Sequence, residues 1–238
     1  MRLSIKPVEV DVILPWRDRY RQIMNCQIIY DSLHGRSGWT ESYLFEVDGA
    51  ASGYGALMVG GPWKGTRIVF EFYVSPQQQS HAFDLFDAFV SASGATGIET
   101  QTNDVLLTAM LHARAQSIVS TSIVFHDVVT TNLPAPDAIL RSREEPDSDW
   151  AIEINGAVVA SGGILFHYNR PYGDIYMKVA EDFRLRGLGS YIVQELKRIC
   201  YSMGSVPCAR CNTGNVASRK TLQKAGFVPC AHILAGAL

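Results

Sequence analysis

The 238-residue chain has no surplus of positive charge: 21 Lys and Arg stand against 23 Asp and Glu, for a net charge of -2. Nucleic acids and anionic membranes are therefore not expected partners, because both are held through excess Lys and Arg. No run approaches the ~20 apolar residues that span a bilayer. Residues 1–15 are interrupted by Arg2, Lys6, Glu9 and Asp11, so no secretory signal is expected there and the cytoplasm is the expected location. Cysteines are few and odd in number (Cys26, Cys200, Cys208, Cys211 and Cys230), which reads as reduced thiols. Cys208 and Cys211 form a C-x-x-C with no second ligand pair nearby, inside a strand-like run over 205–211. They read as buried strand residues, with no metal site expected.

What is present is a globular composition, 47% hydrophobic and 18% charged, and a sequence that repeats. Residues 43–53 resemble residues 150–160: a short alternating strand, then Asp48-Gly49 or Asn155-Gly156, then a second strand. Asx-Gly between apolar runs signals a tight hairpin, since both turn residues need positive φ. Gly55 and Gly162 share the same offset. A third strand over 67–74 answers to 173–179, a helix over 80–93 to 187–203, and a strand over 97–102 to 206–211. A second helix over 104–114 answers to 215–225, and a β-like run over 118–129 to 227–234.

Strands alternating with helices imply an α/β class with a mixed sheet. The first half also begins with a strand over 3–10 and a helix over 15–30, with Trp16, Tyr20, Ile23, Met24 and Ile28 on one stripe. The second half has no evident counterpart to either. Residues 130–149 are rich in Pro and charge, with room for one short strand at most, and read as a linker between domains 1–130 and 131–238. A C-terminal edge strand would pair between halves or between chains, which leaves a homodimer open.

The informative segment is 179–190, Val-Ala-Glu-Asp-Phe-Arg-Leu-Arg-Gly-Leu-Gly-Ser. A strand ends near Val179, an Arg-rich turn follows, and a helix opens at Gly187 and Gly189. Free N–H groups of a first helical turn, with the helix dipole behind them, suit a phosphate-like anion. Arg184 and Arg186 add charge beside it. The third glycine of a dinucleotide fingerprint is missing, and no Gly-Lys-Ser/Thr follows as a P-loop requires.

Arg184-Leu-Arg-Gly187-Leu-Gly189 resembles the Q/R-x-x-G-x-G/A loop of the GNAT superfamily, and Asn215-Val-Ala-Ser218 followed by Gly226-Phe227 resembles its N-x-x-A/S helix. The resemblance covers about 150–234 and implies two GNAT-like halves, in general plan like tandem members such as mycothiol synthase. It also implies acetyl-CoA, or another acyl-CoA, held by Met177, Val179, Arg184, Leu185, Arg186, Gly187, Leu188, Gly189, Ser190, Asn215 and Ser218. The implied reaction is direct transfer of an acetyl or other short acyl group to an amine acceptor. The first half reads as degenerate: its loop, 74–82, has no glycine.

The family's tyrosine, four residues after the Ala/Ser, is Leu222 here. A non-catalytic acyl-CoA-binding module is therefore the alternative. Asp174 is the candidate base, although a solvated surface aspartate is its plainer reading, and Tyr176 is a candidate catalytic tyrosine. Glu153 and His167 are the fallbacks for the base, and Ile175 with Met177 suits a longer acyl tunnel.

Overall fold

The computed structural model describes residues 1–137, 139–145 and 148–238. It divides into two compact units, Met1–Thr121 with His232–Leu238, and Ser122–Ala231. The division falls ahead of the Pro-rich stretch read as a linker. Among the described residues no helix is long and apolar enough to cross a membrane.

In the first unit β1 (Leu3–Val8), β2 (Thr40–Val47), β3 (Ala50–Met58) and β4 (Ile68–Val74) form an antiparallel run. β4 then pairs in parallel with β5 (Gly97–Gln101). Asp48 and Gly49 turn the hairpin at φ 49° and 84°, as the Asx-Gly signal requires. Helices α2 (Ala82–Ser93) and α3 (Val105–Arg114) cover one face, where Phe45, Phe72, Phe86 and Phe89 are fully buried. Burial of each such ring is worth about 2–3 kcal/mol. Gly55 admits this packing, because a Cβ there would stand 2.5 Å from the Phe89 ring.

Helix α1 (Val10–Ile23) lies on the other face, with Ile13 and Tyr20 packed against Tyr54 and Tyr73. It starts five residues before the expected position 15 and ends before Met24, with Pro15 inside it. The expected apolar stripe breaks accordingly: Ile23 is exposed, while Met24 and Ile28 are buried in a non-helical segment. That segment is drawn out of the helix by tertiary bonds, from Gln101 Nε2 to the Gln27 carbonyl (2.8 Å) and from the Ile29 N–H to Gln101 Oε1 (2.7 Å).

The second unit repeats the plan. β7 (Ile139–Glu145), β8 (Ser148–Ile154), β9 (Ala157–Leu165) and β10 (Tyr172–Val179) run antiparallel, and β10 pairs in parallel with β11 (Val206–Asn212). β7 corrects one expectation: it pairs with β8 as β1 pairs with β2, so the first strand has a counterpart within the stretch read as linker. Its charged sequence, Arg141-Ser-Arg-Glu-Glu, suits an edge strand and hides the strand periodicity. Asn155 and Gly156 turn their hairpin at φ 51° and 79°. A bulge falls between Ile152 and Glu153, matching that between Phe45 and Glu46. Helices α4 (Leu188–Ser202) and α5 (Val216–Lys224) close over Ile152, Ile164, Ile175 and Phe227.

Each unit is finished by a strand from far along the chain. Residues 122–126 of β6 (Gln116–Asp127) pair antiparallel with β11 in the second unit. Residues 233–237 of β12 (Phe227–Ala237) pair antiparallel with β5 in the first. The C-terminal edge strand thus finds its partner inside the chain.

Candidate active site

The site is set by a parting of strands. β10 pairs with β11 only at Tyr172, Gly173 and Asp174, opposite Val206, Pro207 and Cys208. Beyond that point β10 runs on to Val179 and β11 to Asn212 without pairing to each other. The backbone edge of 175–179 turned toward β11 therefore has no strand partner. A cavity of about 780 Å³ lies alongside, with Met177 and Val179 in its wall.

The loop after β10 shapes the next wall. Leu185 has φ 62° and Gly187 φ 83°, so left-handed residues stand on either side of Arg186. Alternation of this kind turns successive N–H groups toward one concavity that suits an anion. A side chain other than glycine is strained at such φ, and fully exposed Leu185 accepts that strain for no packing return. Helix α4 then begins with no side-chain cap. Its first-turn N–H groups have no intrahelical acceptor and face a ligand or water. By contrast, α5 is capped by Asn215, whose Oδ1 accepts from the Ser218 N–H at 3.0 Å. Gly189 leaves the cradle open, since a Cβ there would stand 3.1 Å from Thr221 Cγ2 and 3.4 Å from Val179 Cγ2.

Met177, Val179, Arg184, Leu185, Gly187, Leu188, Gly189, Ser190, Asn215 and Ser218 all border the cavity. Arg186 does not: its Nη2 donates to the Asp182 carbonyl at 3.0 Å and its guanidinium lies over the Phe183 ring. Arg184 binds the rim of the loop, 3.6 Å from Glu181 Oε1. Sequence reasoning missed Lys178, Phe183, Ala217, Lys220, Thr221 and Lys224 in the wall. The α5 members recur at helical spacing (217, 220, 221, 224), a signal that one more helical projection of that segment would have exposed. Leu222 points the other way, into the core at 3% exposure, so the cavity side of that turn belongs to Thr221.

Asp174 is not the solvated surface carboxylate that was the plainer reading. It is 4% exposed, at the last paired position of β10, with Arg210 Nε 3.5 Å from its Oδ2. Arg210 Nη2 in turn donates to the Tyr168 hydroxyl at 2.6 Å. Tyr176 follows on the same strand face as Asp174, since side chains two apart in a strand share a face. Its hydroxyl and Asp149 Oδ2 both crowd Gly163, where a Cβ would come within 2.5 Å of each. Of the fallback bases, Glu153 is 3.2 Å from Arg141 Nε, and exposed His167 stacks on Tyr168 with centroids 4.2 Å apart. Ile175 is buried in the core beneath α4 rather than in the cavity wall. Cys208 and Cys211, three apart in β11, face opposite sides of the sheet. Burial pushes both thiols up, reinforced at Cys208 by the Asp174 charge.

Residues 122–227 match the model of the Acetyltransferase (GNAT) family. This segment is a GNAT domain. It starts where the second unit starts, so residues 122–127 of β6 are part of the domain although they precede the Pro-rich stretch. No curated protein matches the sequence. Among solved structures, a GNAT-family acetyltransferase from Colwellia psychrerythraea superposes with a TM-score of 0.80 at 16% identity, covering 99% of both chains. A tandem GNAT protein from the clavulanic acid biosynthesis pathway gives 0.60 at 12% identity, over 99% of this chain and 98% of that one. A GCN5-related N-acetyltransferase from Sphaerobacter thermophilus gives 0.61 at 12% identity, over 99% and 95%. At these identities the likeness is one of fold, and the fold is that of two GNAT-like halves.

Proposed function

We propose that the chain is an N-acyltransferase that moves an acetyl or other short acyl group from acyl-CoA to an amine acceptor, using the second unit. The observation that carries this reading is the uncapped α4 amino end, with Leu185 and Gly187 at positive φ, opening into the cavity beside the parted β10 and β11. The residues present fit the group: the N–H groups of Leu188, Gly189 and Ser190 would hold the pyrophosphate with Arg184 beside them, and Gly189 leaves the space that a Cβ would fill.

Acyl-CoA supplies a thioester carbonyl activated for attack by a neutral amine. The unpaired backbone edge of 175–179 offers N–H groups to polarise that carbonyl as charge develops on its oxygen. In this reading Asp174 accepts the proton of the acceptor ammonium through water, and Tyr176 returns a proton to the departing thiolate. The C–N bond forms as the C–S bond breaks, the proton that the new amide nitrogen sheds restores Tyr176, and most of the acceleration comes from holding the reactants together. The twofold plan of the units supports reading them as domains of one ancestry, with the first no longer a donor site.

Calorimetric titration of acetyl-CoA into wild type, Gly187→Asn and Gly187→Asp tests the reading. Both side chains tolerate left-handed φ, so the pair isolates the effect of a negative charge at the cradle. One-to-one binding that survives Asn and is lost with Asp is expected; no binding in wild type would refute the proposal. A second reading, an acyl-CoA-binding module without turnover, is favoured by Leu222 standing in the core where the family places a tyrosine. Turnover on a panel of amines, followed by release of free CoA thiol, separates the two.

A further inference from the structure

The cavity wall carries more positive charge than a pyrophosphate at the α4 amino end uses. Lys220 and Lys224 lie one turn apart on α5, both border the cavity, and Lys178 borders it from β10. None of the three has a carboxylate within 4.0 Å among the described residues, whereas Arg184, Arg141, Arg198 and Arg210 are each ion-paired. Like charges at i and i+4 on a short helix repel, and without a counter-charge the spacing costs stability. The lysines also sit close to the anion cradle. Thr221, between them in sequence, is the α5 residue that Gly189 of α4 would touch if it had a Cβ, at 3.1 Å.

Resting on the acyl-CoA reading above, we infer that Lys220 and Lys224 form a second anion site, for the 3′-phosphate of the CoA ribose. The ligand that fills this cavity then carries a phosphate besides its pyrophosphate, so the site selects CoA thioesters over donors that lack it. Those include 3′-dephospho-CoA thioesters and acyl groups carried on phosphopantetheine alone. Lys178, which borders the cavity from β10, strengthens the field without taking part in the pair.

The test is calorimetric titration of acetyl-CoA and acetyl-3′-dephospho-CoA into wild type, the Lys220→Ala/Lys224→Ala variant and the Lys220→Arg/Lys224→Arg variant, at 0.15 M salt. Both positions that change on α5 are exposed lysine side chains, so the fold is expected to persist, and near-ultraviolet circular dichroism checks it. Wild type is expected to prefer acetyl-CoA by roughly tenfold, the scale of a charge-assisted phosphate contact. The alanine variant loses that preference with its affinity for the dephospho ligand unchanged, and the arginine variant keeps it. Equal affinity of wild type for the two ligands, or an equal weakening of both in the alanine variant, overturns the inference while leaving the acyl-CoA reading standing. Failure of wild type to bind either ligand refutes that reading itself.

Discussion

The two units part their strands at one register and then do different things with the gap. In the first, β4 and β5 pair only at Ile68–Gly97 and Val69–Ile98; in the second, β10 and β11 separate after Asp174–Cys208. Beyond that point in the second unit lies the cavity under α4 and α5. Beyond it in the first, the residues after α1 take up the bonds that β5 offers. Gln101 holds Gln27 and Ile29, Asn103 holds Asn25, and the Tyr30 hydroxyl donates to Glu99. Tyr20 of α1 reaches Asp104, the α3 cap and the counterpart of Asn215, at 3.0 Å. The loop between β4 and α2 is a 3-10 turn over Pro76–His81 with no residue at positive φ, so no anion cradle forms there. One plan therefore gives an open cleft or a structural core, depending on what crosses the gap.

The largest break in this comparison comes from separating the halves. A fragment beginning at Thr130 lacks β6, and with it the partner of β11 and Asp127, the 2.6 Å ion-pair partner of Lys197. Lys197 is 4% exposed on α4, and a buried charge that loses its partner costs about 3–5 kcal/mol. No cooperative thermal transition is expected for the fragment, and a sharp one would show that β6 is dispensable.

A break confined to the first unit is next in size. Glu71 is 1% exposed and accepts from Arg17, His34 and Tyr54. Burial works to raise its carboxyl, but Arg17 and His34 outweigh this and hold it well below the ordinary carboxylate range. Glu71→Ala leaves Arg17 buried beside Asp31 alone and should cost about 3–5 kcal/mol in urea unfolding. Acetyl-CoA affinity per folded molecule should stay unchanged if the first unit is only a core.

Asp104 sharpens the comparison through pH. Burial raises its carboxyl to about 6, against an ordinary value of 3.8, with hydrogen bonds from Leu107 and Tyr20 working the other way. A raised value means that the contribution to stability is complete below the unfolded value and is lost as pH rises through about 6. The rise from 3.8 to about 6 corresponds to about 3 kcal/mol lost by pH 7. Asp104→Asn should flatten the stability profile between about pH 4 and 7, while Asn215→Asp at the exposed counterpart should leave it largely unaltered. Urea midpoints at the two pH values decide it; an unchanged slope in Asp104→Asn would mean the group does not titrate in that window.

Much of this was legible in the chain because the signals are local. Asp48-Gly49 and Asn155-Gly156 specify their turns by the φ values that they alone tolerate cheaply, and α4 follows the spacing of its apolar residues. The Arg184–Gly189 loop was readable for the same reason: a positive φ and an open helix end are written into a few consecutive residues. Other features were not legible, each for a physical cause. The α1 helix stops at Ile23 because Gln101 and Asn103, more than seventy residues away, compete for the backbone and side chains that follow it. β7 hid behind charge, since an edge strand needs no apolar alternation.

The sequence by itself determined the repeat, the order of most strands and helices, and the loop that opens α4. Tertiary structure alone decided that β6 completes the sheet of the second unit and β12 that of the first, that Asp174 is buried against Arg210, and that Lys220 and Lys224 share a wall with the α4 amino end. A strand's periodicity says which of its faces is buried but not which edge it will join. That choice depends on the edges left open once the rest of the chain has folded.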